Sequence, residues 1–368
     1  MEEVWEIVLG KKVGPLLLGA TLSESIAVLK SRNPVRPFEI EYSEDDPFQS
    51  DIVINSPEDG LKLKHDPVTQ LLTVIQAYQL NKITLRYHSN IIFGKNVNSS
   101  FLSVYQLLGP TYPGTYDPKV NVYSLHYPGG SFQFPIPPEF ERLYKNRDTI
   151  PVEFPNGFTP AAIGFSIFCG DNLANPEAPL PLKSNYFEPV VVDLSNMKAI
   201  VVLFTLTKRS IRMGYSPQDV ISELGAPSST YYKTSLDPSE CSGEYFHNYP
   251  ELGLDILYSG SHAVSKIILR TNIPGHSEFN TYLKCNFRLE HLKSHASRRH
   301  ECPAVTPETP WSSLHEALGK SDLRPIVYDN GSLTDPFPAS LYYMPVAGCL
   351  VEVLKNDCIA SITLSCAA

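Results

Sequence analysis

Residues 211–232 read IRMGYSPQDVISELGAPSSTYY, and the stretch contains the start, body and stop of one short helix. Ser216 supplies a capping oxygen, Pro217 stands at the first helical position where a missing N–H costs nothing, and Asp219 brings a carboxylate to the positive end of the helix dipole. Gly225 and Pro227 end it. Val220, Ile221 and Leu224 share one face, and residues 228–232 turn to β-favouring types. The expected order is helix, glycine stop, strands.

The cassette recurs along the chain. Thr309, Pro310, Trp311, Leu314, Leu318 and Gly319 repeat the cap, first-turn proline, apolar face and glycine stop, and residues 98–110 do so with Val104, Leu108, Gly109 and Pro110. The first and fifth positions before each glycine are Leu108 and Val104, Leu224 and Val220, Leu318 and Leu314, a spacing that stacks them on one helix face. A fourth copy opens the chain at Thr21, Leu22, Ser23 and Glu24, a capping box, and ends near Asn33 and Pro34.

This pattern predicts an α+β protein of tandem helix-plus-antiparallel-meander units packed together. Module one spans 16–88, with strands at 37–41, 51–54, 61–64, 71–75 and 82–87. Module two spans 91–170, with strands at 111–116, 120–126, 131–134 and 161–169 around a proline-rich insertion, 135–160, expected to be extended and exposed. A connecting segment, 171–197, leads to module three, 198–289, with strands at 229–233, 244–249, 253–258 and 263–269. A basic linker, 290–308, precedes module four, 309–366, with strands at 324–328, 339–344, 349–354 and 359–364.

Composition is that of a globular chain: 368 residues, 42% hydrophobic and 19% charged, with 32 prolines and 20 tyrosines that suit short strands better than long helices. A net charge of −9 disfavours a sequence-independent nucleic-acid binder, so no nucleic-acid partner is expected. The seven cysteines form no CxxC pair and Glu2, Glu3 and Glu6 stand where a secretory leader is basic, which points to a reducing compartment. The longest apolar runs, such as 199–206, are strand length.

Lys284, Arg288, Lys293, Arg298 and Arg299 form the one basic cluster, and basic residues near an anionic leaflet each add about 1 kcal/mol of attraction. They are the candidate lipid-binding residues; a solvated linker is the alternative. Cys285, His291, His295 and Cys302 lack the paired spacing of a zinc site, and neither a metal nor another cofactor is expected. No GxSxG, P-loop, GxGxxG or HExxH occurs, so no catalytic residues are assigned. His247 alternates with Tyr245 and Tyr249 and is expected to be packed. Trp311 and Leu314 match the aromatic-x-x-aliphatic form of peptides that add a strand to ubiquitin-like modifiers, but as part of an apolar helix face they are expected in the core.

The segments GYSPQDVISELGAPSSTYYK, HNYPELGLDILYSG and KIILRTNIPGHSEFNTYLKCNF, with GPLLLGATLSESI, ITLRYHS and IIFGKN, resemble the phagophore assembly factor 1 family over nearly the whole chain. The resemblance implies a cytoplasmic, non-enzymatic autophagy factor that pairs with a WD-repeat propeller protein and associates with phosphoinositide-marked membrane at the phagophore assembly site. It also implies an association with the Golgi. A Golgi or vesicle trafficking adaptor and a small-ligand-binding protein are the alternatives.

Overall fold

The computed structural model describes residues 3–112, 114–144, 153–170, 173–179, 188–196, 199–233, 243–291, 304–318, 324–328, 340–346 and 348–366. The protein is α+β, with short helices and four largely antiparallel sheets among those residues. The chain divides into two compact units, the first made of Met1–Ser43 and Gln49–Leu182, the second of Glu44–Phe48 and Lys183–Ala368.

The first unit opens with β1 (Val4–Val8), β2 (Lys12–Val13) and β3 (Leu16–Leu17) before helix α1 (Leu22–Lys30). Thr21 caps α1 through the expected capping box, its side chain accepting from the Glu24 amide while the Glu24 carboxylate accepts from the Thr21 amide at 2.8 Å. A meander follows: β4 (Glu39–Glu41), β5 (Ile52–Ser56), β6 (Leu61–His65) and β7 (Leu72–Ala77). Then come β8 (Thr84–Tyr87), β9 (Asn90–Gly94), β10 (Val97–Asn98), α2 (Phe101–Leu108), β11 (Thr115–Asp117), β12 (Val122–Tyr127), β13 (Gly130–Pro135), the one-turn α3 (Glu141–Tyr144) and β14 (Gly164–Phe168). The larger sheet runs β11-β12-β13-β14-β7-β6-β5-β4, so the central β14–β7 pair joins strands about ninety residues apart. The smaller sheet runs β10-β9-β8-β1-β2-β3, and β1 and β8 are parallel.

Alternation decides which side of the larger sheet is dry. On β6, Leu61, Leu63 and His65 are buried on the side that meets α1, where Ser25 bonds His65, and Lys62 and Lys64 take the other side. Phe93, Phe132 and Phe165 meet with ring centroids 4.7–6.2 Å apart in the core. Residues 145–152 of the proline-rich insertion lie outside the described residues, and most of the others are exposed. Ile136 and Phe154 are buried, and Phe140, Phe154 and Phe158 stack in near-parallel planes. Apolar residues set between prolines anchor this loop to the unit.

The second unit holds β15 (Val190–Asp193), β16 (Val201–Phe204), β17 (Ser210–Arg212), α4 (Pro217–Leu224), β18 (Ser229–Tyr232), β19 (Tyr245–Tyr249), β20 (Leu254–Tyr258), β21 (Val264–Arg270), β22 (Phe287–Glu290), α5 (Trp311–Leu318), β23 (Ile326–Tyr328), β24 (Ser340–Val346), β25 (Cys349–Val353) and β26 (Ile359–Ser365). Its larger sheet runs β18-β19-β20-β21-β26-β25-β24-β23, and its smaller one β17-β16-β15-β22, with β15 and β22 parallel. Val220, Trp311, Leu314 and Leu318 from the helices share one core with Tyr245, Tyr249, Ile256, Tyr258 and Ile362. Trp311 stacks on Tyr343 at 4.4 Å, so the aromatic-x-x-aliphatic pattern is core, as expected. His247 is packed between Tyr245 and Tyr258.

Three local features depart from the sequence reading. Phe287–Glu290 is a strand, because Phe287 and Leu289 face inward and alternate with Arg288 and Glu290 in a run dominated by charge. Val190–Asp193 is its parallel partner, in a stretch read as a connection. Thr309 does not cap α5. Its hydroxyl accepts from the Thr306 amide, and the cap is the Asp357 carboxylate, which accepts from the Ser312 amide at 3.0 Å while the Asp357 carbonyl takes the Trp311 amide.

Candidate functional site

The five basic residues named from the sequence do not converge. Lys284 is turned inward, its side chain fully shielded, its ammonium paired with Glu308 and set 5.0 Å from the centre of the Phe48 ring. Burial opposes the charged form of Glu308, but Lys284 outweighs it and holds that carboxyl below the usual range. A lysine committed in this way is unavailable to a headgroup, which corrects its assignment as a lipid contact. Arg288 is exposed on β22 and pairs with Glu290 at 3.0 Å. Lys293, Arg298 and Arg299 lie outside the described residues.

A concave feature of the first unit lies on the sheet face turned away from α1. It is an open groove of about 630 Å³ across β5, β6, β7, β14 and β13, with Lys64, Gln76, Gln133 and Ser166 among its floor residues. Asp51 and Asp66 stand at strand ends, and the 173–177 stretch, held by the Cys169–Glu177 bridge, makes the remaining wall. Gly164 gives Gln133 room to lie down, since a Cβ there would come within 2.5 Å of its amide oxygen. Burial pushes the Asp51 carboxyl up, Lys64 partly offsets this, and Asp66 adds to it. The Asp66 carboxylate accepts from the Val68 and Thr69 amides at 3.1 and 2.6 Å. The groove can recognise polar and charged groups; among the described residues its Ser166 hydroxyl has no hydrogen-bonded base.

The corresponding face of the second unit's larger sheet is closed by the chain itself. Arg270 donates to Asp255 at 2.9 Å and to Glu278, and the Tyr282 hydroxyl donates to Asp255 at 2.7 Å. Beside them His276 meets Glu352 at 3.2 Å, and Ser361 and Tyr342 donate to the same carboxylate. Burial works against the Glu352 anion, yet the bonds from His276 and Ser361 bring its pKa down to about 2. Here a resident arginine compensates the acids.

Ser25 Oγ and His65 Nε2 lie 3.0 Å apart, but both residues are fully buried and His65 Nδ1 has no partner. Burial lowers the His65 pKa to about 4, so the pair is a neutral core contact that no substrate reaches. Cys285 is likewise sealed, its thiol pushed up to about 12 by burial. Among the described residues no cluster of three His, Cys, Asp or Glu is placed to hold a metal ion, and no helix is long and apolar enough to cross a membrane.

None of the groove residues was singled out from the sequence. The alternating LKLKH of β6 puts Lys64 on an outer face, but Gln133 and Ser166 join it only through the β14–β7 pairing.

Comparison with known proteins gives one answer throughout. Residues 12–365 match the family described as phagosome assembly factor 1. A plant relative from Arabidopsis thaliana, named PHAF1 protein At3g51130, is 34% identical over 98% of this chain and 92% of its own length. The Drosophila melanogaster PHAF1 protein CG7083 is 30% identical over 99% and 93%, and the Caenorhabditis elegans PHAF1 protein T01G9.2 is 30% identical over 74% of each. No solved structure matches the chain.

Proposed function

The chain belongs to the phagosome assembly factor 1 family, and from that premise we propose that it is a non-enzymatic autophagy factor. It works by binding: it forms a complex with a WD-repeat propeller protein and associates from the cytoplasm with phosphoinositide-bearing phagophore membrane. The observation that carries this reading is the family match across 12–365.

The lipid contact falls to Arg288, Lys293, Arg298 and Arg299. Charge reversal at Lys293, Arg298 and Arg299 together is expected to abolish binding to liposomes carrying phosphorylated inositol lipids; unchanged binding would remove the segment. The complex is tested by affinity purification of the tagged chain from fed and starved cells. A propeller protein recovered in stoichiometric amount is expected, and a chain recovered alone in both conditions would refute the complex.

The architecture suits a scaffold of four tandem helix-plus-meander units. Each of α1, α2, α4 and α5 is followed by an antiparallel meander, and the turns NSPEDG (55–60) and NYPELG (248–253) occupy like positions in the two larger sheets. Both end on a left-handed glycine, Gly60 at φ 66° and Gly253 at φ 67°.

A further inference from the structure

We propose that the groove of the first unit binds an arginine or lysine side chain carried on an extended peptide segment of a partner. Asp51, Asp66 and Glu177 line the groove against one ammonium, that of Lys64. Among the described residues none of the three carboxylates has a cationic partner within 4 Å. The second unit shows how this fold satisfies such a face: Arg270 is fixed between Asp255 and Glu278 on the side of the sheet away from the helices. The first unit places acids on the same side, and among the described residues no arginine lines the groove. A guanidinium or ammonium brought by another chain completes the set through charge-assisted hydrogen bonds.

A second observation points the same way. Ser166 lies at the centre of the floor, only 2% exposed, and its hydroxyl makes no hydrogen bond among the described residues. A nearly buried hydroxyl without a partner is an unfilled position for a ligand group. Gln76 and Gln133 flank it with one amide each, on strands paired directly to β14. Three neutral polar groups in a row suit the N–H and C=O groups of a peptide backbone, and about 630 Å³ exceeds what one side chain fills. The occupant is therefore a peptide segment with one basic anchor. The inference stands apart from the identity of any propeller partner or lipid.

The test is selection of a random heptapeptide display library on the full-length chain, followed by fluorescence anisotropy with the best labelled peptide. Selected sequences are expected to share a fixed Arg or Lys. Asp51→Lys is expected to weaken the labelled peptide about tenfold or more, while Glu316→Lys, the same charge change on exposed α5 of the other unit, leaves affinity within about twofold. Asp51→Asn, a milder change, is expected to fall between them, and circular dichroism melts establish that each variant is folded. Absence of basic enrichment, or equal losses from Asp51→Lys and Glu316→Lys, overturns the proposal. So does displacement of the peptide by free spermidine at equal concentration, which would identify a small polycation as the ligand.

Discussion

Buried His65 ties the stability of the first unit to acid. His65 is shielded on all sides with Nδ1 unpartnered, and its pKa of about 4 lies below the ordinary 6.5. The unfolded chain therefore binds the proton more readily. Stability is complete above pH 6.5 and is lost as pH falls toward 4, by about 2 kcal/mol between pH 7.5 and pH 5. Urea titrations at the two pH values check this, and His65→Gln should remove most of the difference. Lys284 offers a second test. Because its ammonium lies inside against Glu308, Lys284→Glu should destabilise the fold by about 3 kcal/mol or more, whereas Arg288→Glu on the exposed strand should change it by less than about 0.5 kcal/mol.

Elements in this chain are specified by their ends, and the ends differ in how far away their partners lie. Thr21 with Glu24 and Ser216 with Asp219 cap helices from within three residues, so both helices were legible from sequence spacing. The cap of α5 comes from Asp357, forty-five residues downstream in the β25–β26 turn, and a local pattern carries no trace of it. The expected cost of Asp357→Ala is about 1–3 kcal/mol, combining the lost cap with a left-handed backbone at φ 65°; Asp357→Asn, which tolerates that backbone and keeps an acceptor, should cost far less. Urea unfolding followed by Trp311 fluorescence reads both. Gly253 makes a comparable point for turns. At φ 67° and with the Leu283 carbonyl 2.3 Å from where a Cβ would sit, Gly253→Ala should cost more than the 1–2 kcal/mol of the backbone conformation alone. Most strands were legible because one face is buried and alternation shows. Phe287–Glu290 was not, since its inward Phe287 and Leu289 are interleaved with Arg288 and Glu290 in a run dominated by charge.

At the scale of the whole molecule, the α+β class follows from the recurring helix, glycine and meander, but the groove does not. Its floor joins Lys64, Gln76, Gln133 and Ser166, positions drawn together by strand pairing across a hundred residues, and nothing in their local sequences marks them. The same holds for the closed face of the second unit, where Arg270 meets acids from β20 and the 271–286 loop. The second unit satisfies its face internally through Arg270; the groove of the first unit is the face proposed above for a partner's cation. The central claim is that the chain acts where phagophores form, and live imaging of the tagged full-length chain beside an early phagophore marker tests it most directly. On nutrient withdrawal the chain should move from a diffuse cytoplasmic signal into puncta that coincide with the marker. A signal that stays diffuse while marker puncta form around it would contradict the account.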